Sequence, residues 1–179
     1  MDLYQVFITH NGAWTIQDII CLLALFILAA IFTCRQLCRQ RIVMSQAVAG
    51  LALFLFIGVV FGSTVFTRML AERKYNLELF WSWKEIINGN RDLLKENFLN
   101  CILLIPMGLL LPATLNHRIS WWKGMLIGVT TSAIIETSQL IFCRGLFEWD
   151  DMIHNGIGCM IGCVIANMIK ECLNKHKLQ

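Results

Sequence analysis

Between Lys123 and Arg144 the chain runs for 20 residues, Gly124 to Cys143, with no basic residue and one carboxylate, Glu136. A helix of that length measures about 30 Å, the thickness of the hydrocarbon core of a bilayer. Hydrocarbon offers the backbone no hydrogen bonds, so such a segment folds as a helix or does not cross at all. A carboxylate within it costs roughly 2.5 to 3.5 kcal/mol on insertion scales, and so faces either a protein partner or a wet cavity.

Composition extends this reading to the whole chain. Hydrophobic residues make up 57% and charged residues 15%, well short of the roughly 25% charged residues of a soluble domain. Further apolar runs cover about Ile19 to Cys34, Ile42 to Thr67, Phe98 to Leu115 and Met152 to Ile169. The expected fold is an all-α membrane protein, a bundle of about five transmembrane helices. Pro106 removes a backbone donor and crowds the carbonyl of Ile102, which predicts a kink in the third helix. Gly58 and Gly62, four residues apart on the second, would admit a close neighbour. The chain divides into two N-terminal helices over 1–67, a polar interfacial loop over 68–97 and a three-helix core over 98–170, all one domain.

In that loop Asn88-Gly89-Asn90 breaks any helix, and Phe80, Trp81 and Trp83 suit a membrane interface, as do Tyr4 and Trp14 near the N-terminus. The segment Met1 to Asp18 lacks the basic start of a cleavable signal peptide. Eight of the fifteen Lys and Arg residues fall in the short segments after the first and third helices and in the C-terminal tail. The other seven are Arg144 and six in the long mixed-charge loop. Density near the helix ends places the C-terminus in the cytoplasm and the N-terminus outside.

The eight cysteines form no CxxC or CxxH pattern and read as packing residues. Cys34 and Cys38, at helical spacing, offer two thiolates where a zinc site wants four ligands, so no metal and no cofactor is expected. A net charge of +3 does not point to nucleic acid.

The chemistry gathers at one membrane face. Asn97 and Asn100 start the third helix, Arg144 ends the fourth, and Asp150, Asp151, His154 and Asn155 start the fifth on that side. Helical spacing aligns Ser132, Glu136, Gln139 and Cys143 in one stripe and Asp151, Asn155, Gly158 and Gly162 in another. Lone amides such as Gln139 or Asn100 serve most often as glue between helices, worth about 0.6 kcal/mol. Glu136, Arg144, Asp151 and Asn155 together favour a site. His154 by itself reads as an interfacial residue.

These residues carry a resemblance. Asn100-x5-Pro106-x-Gly108-x3-Pro112, then Glu136-x2-Gln139-x4-Arg144, then Asp150-Asp151-x3-Asn155-x2-Gly158-x3-Gly162 resembles the VanZ-like family of small bacterial membrane proteins over about residues 76–162. Where family members often carry a proline before the phenylalanine of an Asn-Leu-x-Pro-Phe element, Asn76-Leu-Glu-Leu79-Phe80 has leucine. The resemblance implies a multi-pass protein of the bacterial envelope. It also implies a link to low-level resistance to teicoplanin and related lipoglycopeptides, without an established biochemical activity.

Three functions remain open. A binding protein would hold a membrane lipid, a lipid-linked cell-wall intermediate or a lipoglycopeptide in an outward polar pocket, with Asn100, Glu136, Gln139, Arg144, Asp150, Asp151 and Asn155 as ligand contacts. In that reading Arg144 faces an anionic group, and Pro106, Gly108, Gly158 and Gly162 serve helix packing. A membrane-embedded hydrolase or transferase on a polyprenyl or phospholipid headgroup would use Glu136 or Asp151 as general base, although no nucleophile or phosphate loop accompanies them. A transporter would show an internal repeat, which five spans lack. Oligomeric state is not readable from the sequence.

Overall fold

The computed structural model describes residues 14–68, 70 and 72–176. Five helical segments are long and apolar enough to cross a bilayer: Ile16–Cys38, Met44–Phe66, Asp92–Thr114, Trp121–Phe142 and Trp149–Lys175. The interfacial reading of Tyr4 and the tail lysine Lys177 lie outside the described residues.

Helix α1 (Ile16–Cys38) starts on a capping box, in which Thr15 Oγ1 accepts from the Asp18 N–H and the Asp18 carboxylate accepts from the Thr15 N–H. Helix α2 (Met44–Phe61) continues through one π-helical turn, Gly62–Phe66. The glycine pair on α2 is used by α1. Leu22 packs over Gly58 and Trp14 over Gly62, where a Cβ would meet the Trp14 ring at 2.1 Å.

Residues 68–97 hold more structure than a loop. Strand β1 (Lys74–Asn76) is followed by helix α3 (Trp81–Ile87), which ends at Asn88 before Gly89 takes φ +107°. The third span begins at Asp92, well before Phe98, and is two helices, α4 (Asp92–Leu103) and α5 (Ile105–Thr114). The kink expected at Pro106 is found as a break at Leu104, with φ −101° and ψ 7°. The ring at 106 has no N–H and excludes the carbonyl four residues back, so the chain leaves helical geometry upstream and restarts with Pro106 in the first turn.

Helix α6 (Trp121–Phe142) ends at Cys143 in the left-handed region. Strand β2 (Leu146–Glu148) follows and pairs in parallel with β1, Asn76 opposite Glu148. Helix α7 (Trp149–His176) completes the chain.

Burial concentrates in the C-terminal half. None of the most apolar 18 residues of α1 is buried, against 44% of the corresponding 18 of α7. Glycines explain how α4, α5, α6 and α7 come together. A Cβ on Gly158 would lie 1.8 Å from the Cys101 carbonyl oxygen, and one on Gly108 would lie 2.1 Å from that of Cys159. With no hydrophobic drive between helices in lipid, such backbone contact supplies the dispersion energy that holds them. Leu104, Met107, Leu111, Ile119, Cys159 and Cys163 fill this dry half.

Candidate functional site

The other half of the same helices is polar. Along the α6 stripe Ser132, Glu136 and Gln139 are all buried, Ser132 completely. Helix α7 runs antiparallel and brings Asn155 opposite Ser132, where Asn155 Nδ2 donates to Ser132 Oγ at 2.8 Å. One turn nearer the face, Asp151 accepts from Asn100 Nδ2 of α4 at 2.5 Å. The Glu136 carboxylate accepts the backbone N–H of Glu148 at 3.2 Å. Asp151, Arg68 and Glu148 are the charged side chains that bear on Glu136. The carboxylates of Glu136, Glu148 and Asp151 are thus brought into one electrostatic neighbourhood with Arg68.

Arg68 is a member that spacing along the core helices could not reveal, because it follows the π-helical turn of α2 and belongs to the polar segment. Its guanidinium Nη1 and Gln139 Oε1 both lie within 2.9 Å of the position a Cβ on Gly145 would take. Only glycine lets the backbone pass that close, and φ +158° there suits glycine as well. Gln139 Nε2 donates to the Thr64 carbonyl at 3.0 Å, which ties α6 to α2 and leaves Gln139 Oε1 buried without a partner. Glu148 Oε1 and Asn155 Oδ1 are also buried and unpaired among the described residues. Buried acceptors left without donors cost on the order of 1–3 kcal/mol each.

Glu148 lies in β2, outside the spanning helices. Burial raises its pKa from the ordinary carboxylate value to about 7, and the neighbouring charge of Asp151 adds to the shift. The Trp81 indole N–H opposes the shift without reaching full hydrogen-bond geometry.

Two residues expected as ligand contacts, Asp150 and Arg144, do other work. Asp150 is spent on α3: it accepts from the Phe80 N–H at 2.6 Å, the Ser82 N–H at 3.1 Å and Ser82 Oγ at 2.6 Å. Asn97 Nδ2 reaches the same Ser82 hydroxyl. Arg144 donates to the backbone carbonyls of Phe66 and Arg68, so it holds the end of α2 in place. His154 is buried within the fold, and its Nε2 accepts from Trp83 Nε1 at 3.1 Å. Indole nitrogen only donates, so the His154 proton resides on Nδ1.

Beside this cluster, Trp83, Leu94, Lys95, Asn97, Phe98, Cys101 and His154 line an apolar cleft of about 430 Å³. Phe98 and Leu94 remain largely exposed on the face of α4. A larger hollow of about 540 Å³ lies on the outer side of α1, between Phe26 and Arg39. It is a groove on a lipid-facing helix, remote in sequence from every polar group of the cluster. No group of three or more His, Cys, Asp or Glu among the described residues could hold a metal ion.

The profile of one protein family, VanZ/LLP1, matches residues 19–170. No curated protein and no solved structure matches the chain.

Proposed function

The chain belongs to the VanZ/LLP1 family, and on that footing we propose that it is a bacterial envelope protein that binds the headgroup of a lipid. A membrane lipid or a lipid-linked cell-wall intermediate would place its headgroup among Asn100, Glu136, Gln139, Asp151 and Asn155. The observation that carries this reading is a buried polar cluster left partly unsatisfied inside a membrane bundle, next to an apolar cleft of acyl-chain character. Polar groups used as glue hydrogen-bond across helices, whereas in this cluster Gln139 Oε1, Glu148 Oε1 and Asn155 Oδ1 are left over together. Segment 68–97 covers the cluster through β1 and through the Asp150 hold on α3, so access runs past that segment.

The polar face is the outer one in this reading, with the C-terminus in the cytoplasm. Cys143, at the polar face, should react with a membrane-impermeant maleimide on intact cells, and Cys172 only after permeabilisation. The reverse pattern would invert the orientation.

The direct test is extraction of the purified protein and mass-spectrometric identification of what copurifies. A defined lipid held by wild type and lost from Glu136→Gln supports binding. Turnover of that lipid on incubation would move the protein to the hydrolase or transferase class, with Glu136 or Asp151 as base.

A further inference from the structure

We propose that the ligand of this cluster is recognised as a hydrogen-bond donor: a headgroup bearing hydroxyl or primary ammonium groups, and not one selected for its negative charge. The proposal rests on the binding reading and names its ligand class.

The argument is an account of donors and acceptors. The Thr64 carbonyl can only accept, so the Gln139 amide nitrogen must face it and the amide oxygen must face the cluster. That oxygen is in a side chain 2% exposed and has no partner among the described residues. Likewise the Asp151 carboxylate takes the nitrogen of Asn100, which fixes the orientation of that amide. Glu148 Oε1 is a second buried acceptor unpaired among the described residues, with the Trp81 indole N–H near it but short of bonding geometry, and the Glu136 carboxylate is supplied by the backbone N–H of Glu148.

On the donor side Arg68 is the cation that bears on Glu136 and Asp151. Arg144, the other nearby cation, is engaged by the carbonyls of Phe66 and Arg68. The Trp81 indole N–H beside Glu148 is a buried donor also left unpaired, against three unpaired acceptors, Gln139 Oε1, Glu148 Oε1 and Asn155 Oδ1, so among the described residues the surplus is in acceptors. A phosphate placed here would face three carboxylates with one guanidinium to offset them. A hydroxyl or ammonium group would instead pair the orphaned oxygens and, in the ammonium case, be attracted by the carboxylates.

The two sources of donors can be told apart with four lipids in equal amounts: phosphatidylethanolamine, phosphatidylcholine, a monoglucosyl diacylglycerol and phosphatidic acid. Full-length protein is reconstituted in nanodiscs of this mixture, then released into detergent, and the retained lipid is quantified by mass spectrometry. Phosphatidylcholine keeps the positive charge of ethanolamine but has no N–H, so it isolates the donor.

Enrichment of phosphatidylethanolamine or the glucosyl lipid about tenfold over phosphatidylcholine supports the proposal, and which of the two is retained identifies ammonium or hydroxyl donors. Gln139→Leu should reduce that ratio, and Leu126→Ala, on the lipid-facing side of α6, should leave it unchanged. Phosphatidic acid retained above the others, or phosphatidylcholine retained as well as phosphatidylethanolamine, overturns donor recognition while headgroup binding stands. No lipid retained above its share of the mixture overturns both, and assigns the unpaired oxygens to ordered water.

Discussion

Helices α6 and α7 pack against each other from Gly124 opposite Cys163 to Ser132 opposite Asn155 and beyond, yet the two halves of that seam are built on opposite rules. From Gly124 to Gly128, opposite Gly156, Cys159 and Cys163, glycines bring backbones into contact and the filling is apolar. From Ser132 to Gln139, opposite Glu148, Asp151 and Asn155, side chains are polar, buried and incompletely paired. The first half gains energy from every contact. The second gives some up, as protein sites do when geometry serves a ligand. In the proposed reading the same helices carry a scaffold and a site.

The largest effect should come from the dry half. In Gly158→Leu the new Cβ would overlap the Cys101 carbonyl oxygen at 1.8 Å, and neither backbone can give way. The cost should exceed the roughly 1–3 kcal/mol typical of overpacking, and size-exclusion chromatography in detergent should show no monodisperse species. Normal behaviour of that variant would erase the division.

Next comes the anchor between the polar half and its cover. Asp150→Ala removes three hydrogen bonds that hold the start of α3 and should destabilise the protein by about 2–3 kcal/mol. Protease sensitivity should rise in residues 77–90 before it rises elsewhere. Uniform loss of protection would mean that α3 is not held locally.

A smaller effect concerns pH. Glu148 has a folded pKa raised to about 7 from the ordinary carboxylate value of 4.5, so the folded form binds its proton more tightly than the unfolded form does. Its contribution is fully present below about pH 4.5, declines as pH rises toward 7, and is absent above. Melting temperature should fall across that window in wild type and fall less in Glu148→Gln. Identical slopes would remove Glu148 from the account.

The smallest is coupling within the cluster. Asp151 bears on Glu136, so the stability changes of Glu136→Gln and Asp151→Asn should deviate from additivity by roughly 0.5 kcal/mol or more in a double-mutant cycle. Strict additivity would make them unrelated positions.

Much of this division was legible in the sequence. Stripes at helical spacing put Glu136 with Ser132 and Gln139, and Asp151 with Asn155, because a helix fixes which side chains share a face. Gly158 and Gly162 lay on the packing side of their helix for the same reason. What spacing could not show was competition from outside the helices. Asp150 is claimed by the N–H groups of α3, and Arg144 by the carbonyls that end α2. His154 is claimed by Trp83, 71 residues away. Arg68 entered the cluster from a segment whose local pattern is polar and irregular. Those pairings depend on how 68–97 folds back, and periodicity carries no information about it. The break at Leu104 is intermediate: Pro106 announced a disruption, but its position two residues upstream follows from where the displaced carbonyl must go.

The central claim is that the polar half serves a ligand and not the fold, and the melting temperature of Glu136→Gln in detergent tests it most directly. Glutamine keeps the shape and the oxygen that accepts the Glu148 N–H, while a carboxylate leaves a residue 3% exposed within a membrane helix. The account predicts a melting temperature equal to or above that of wild type. A drop of several degrees would show that the carboxylate supports the fold, and the polar half would then be scaffold like the rest.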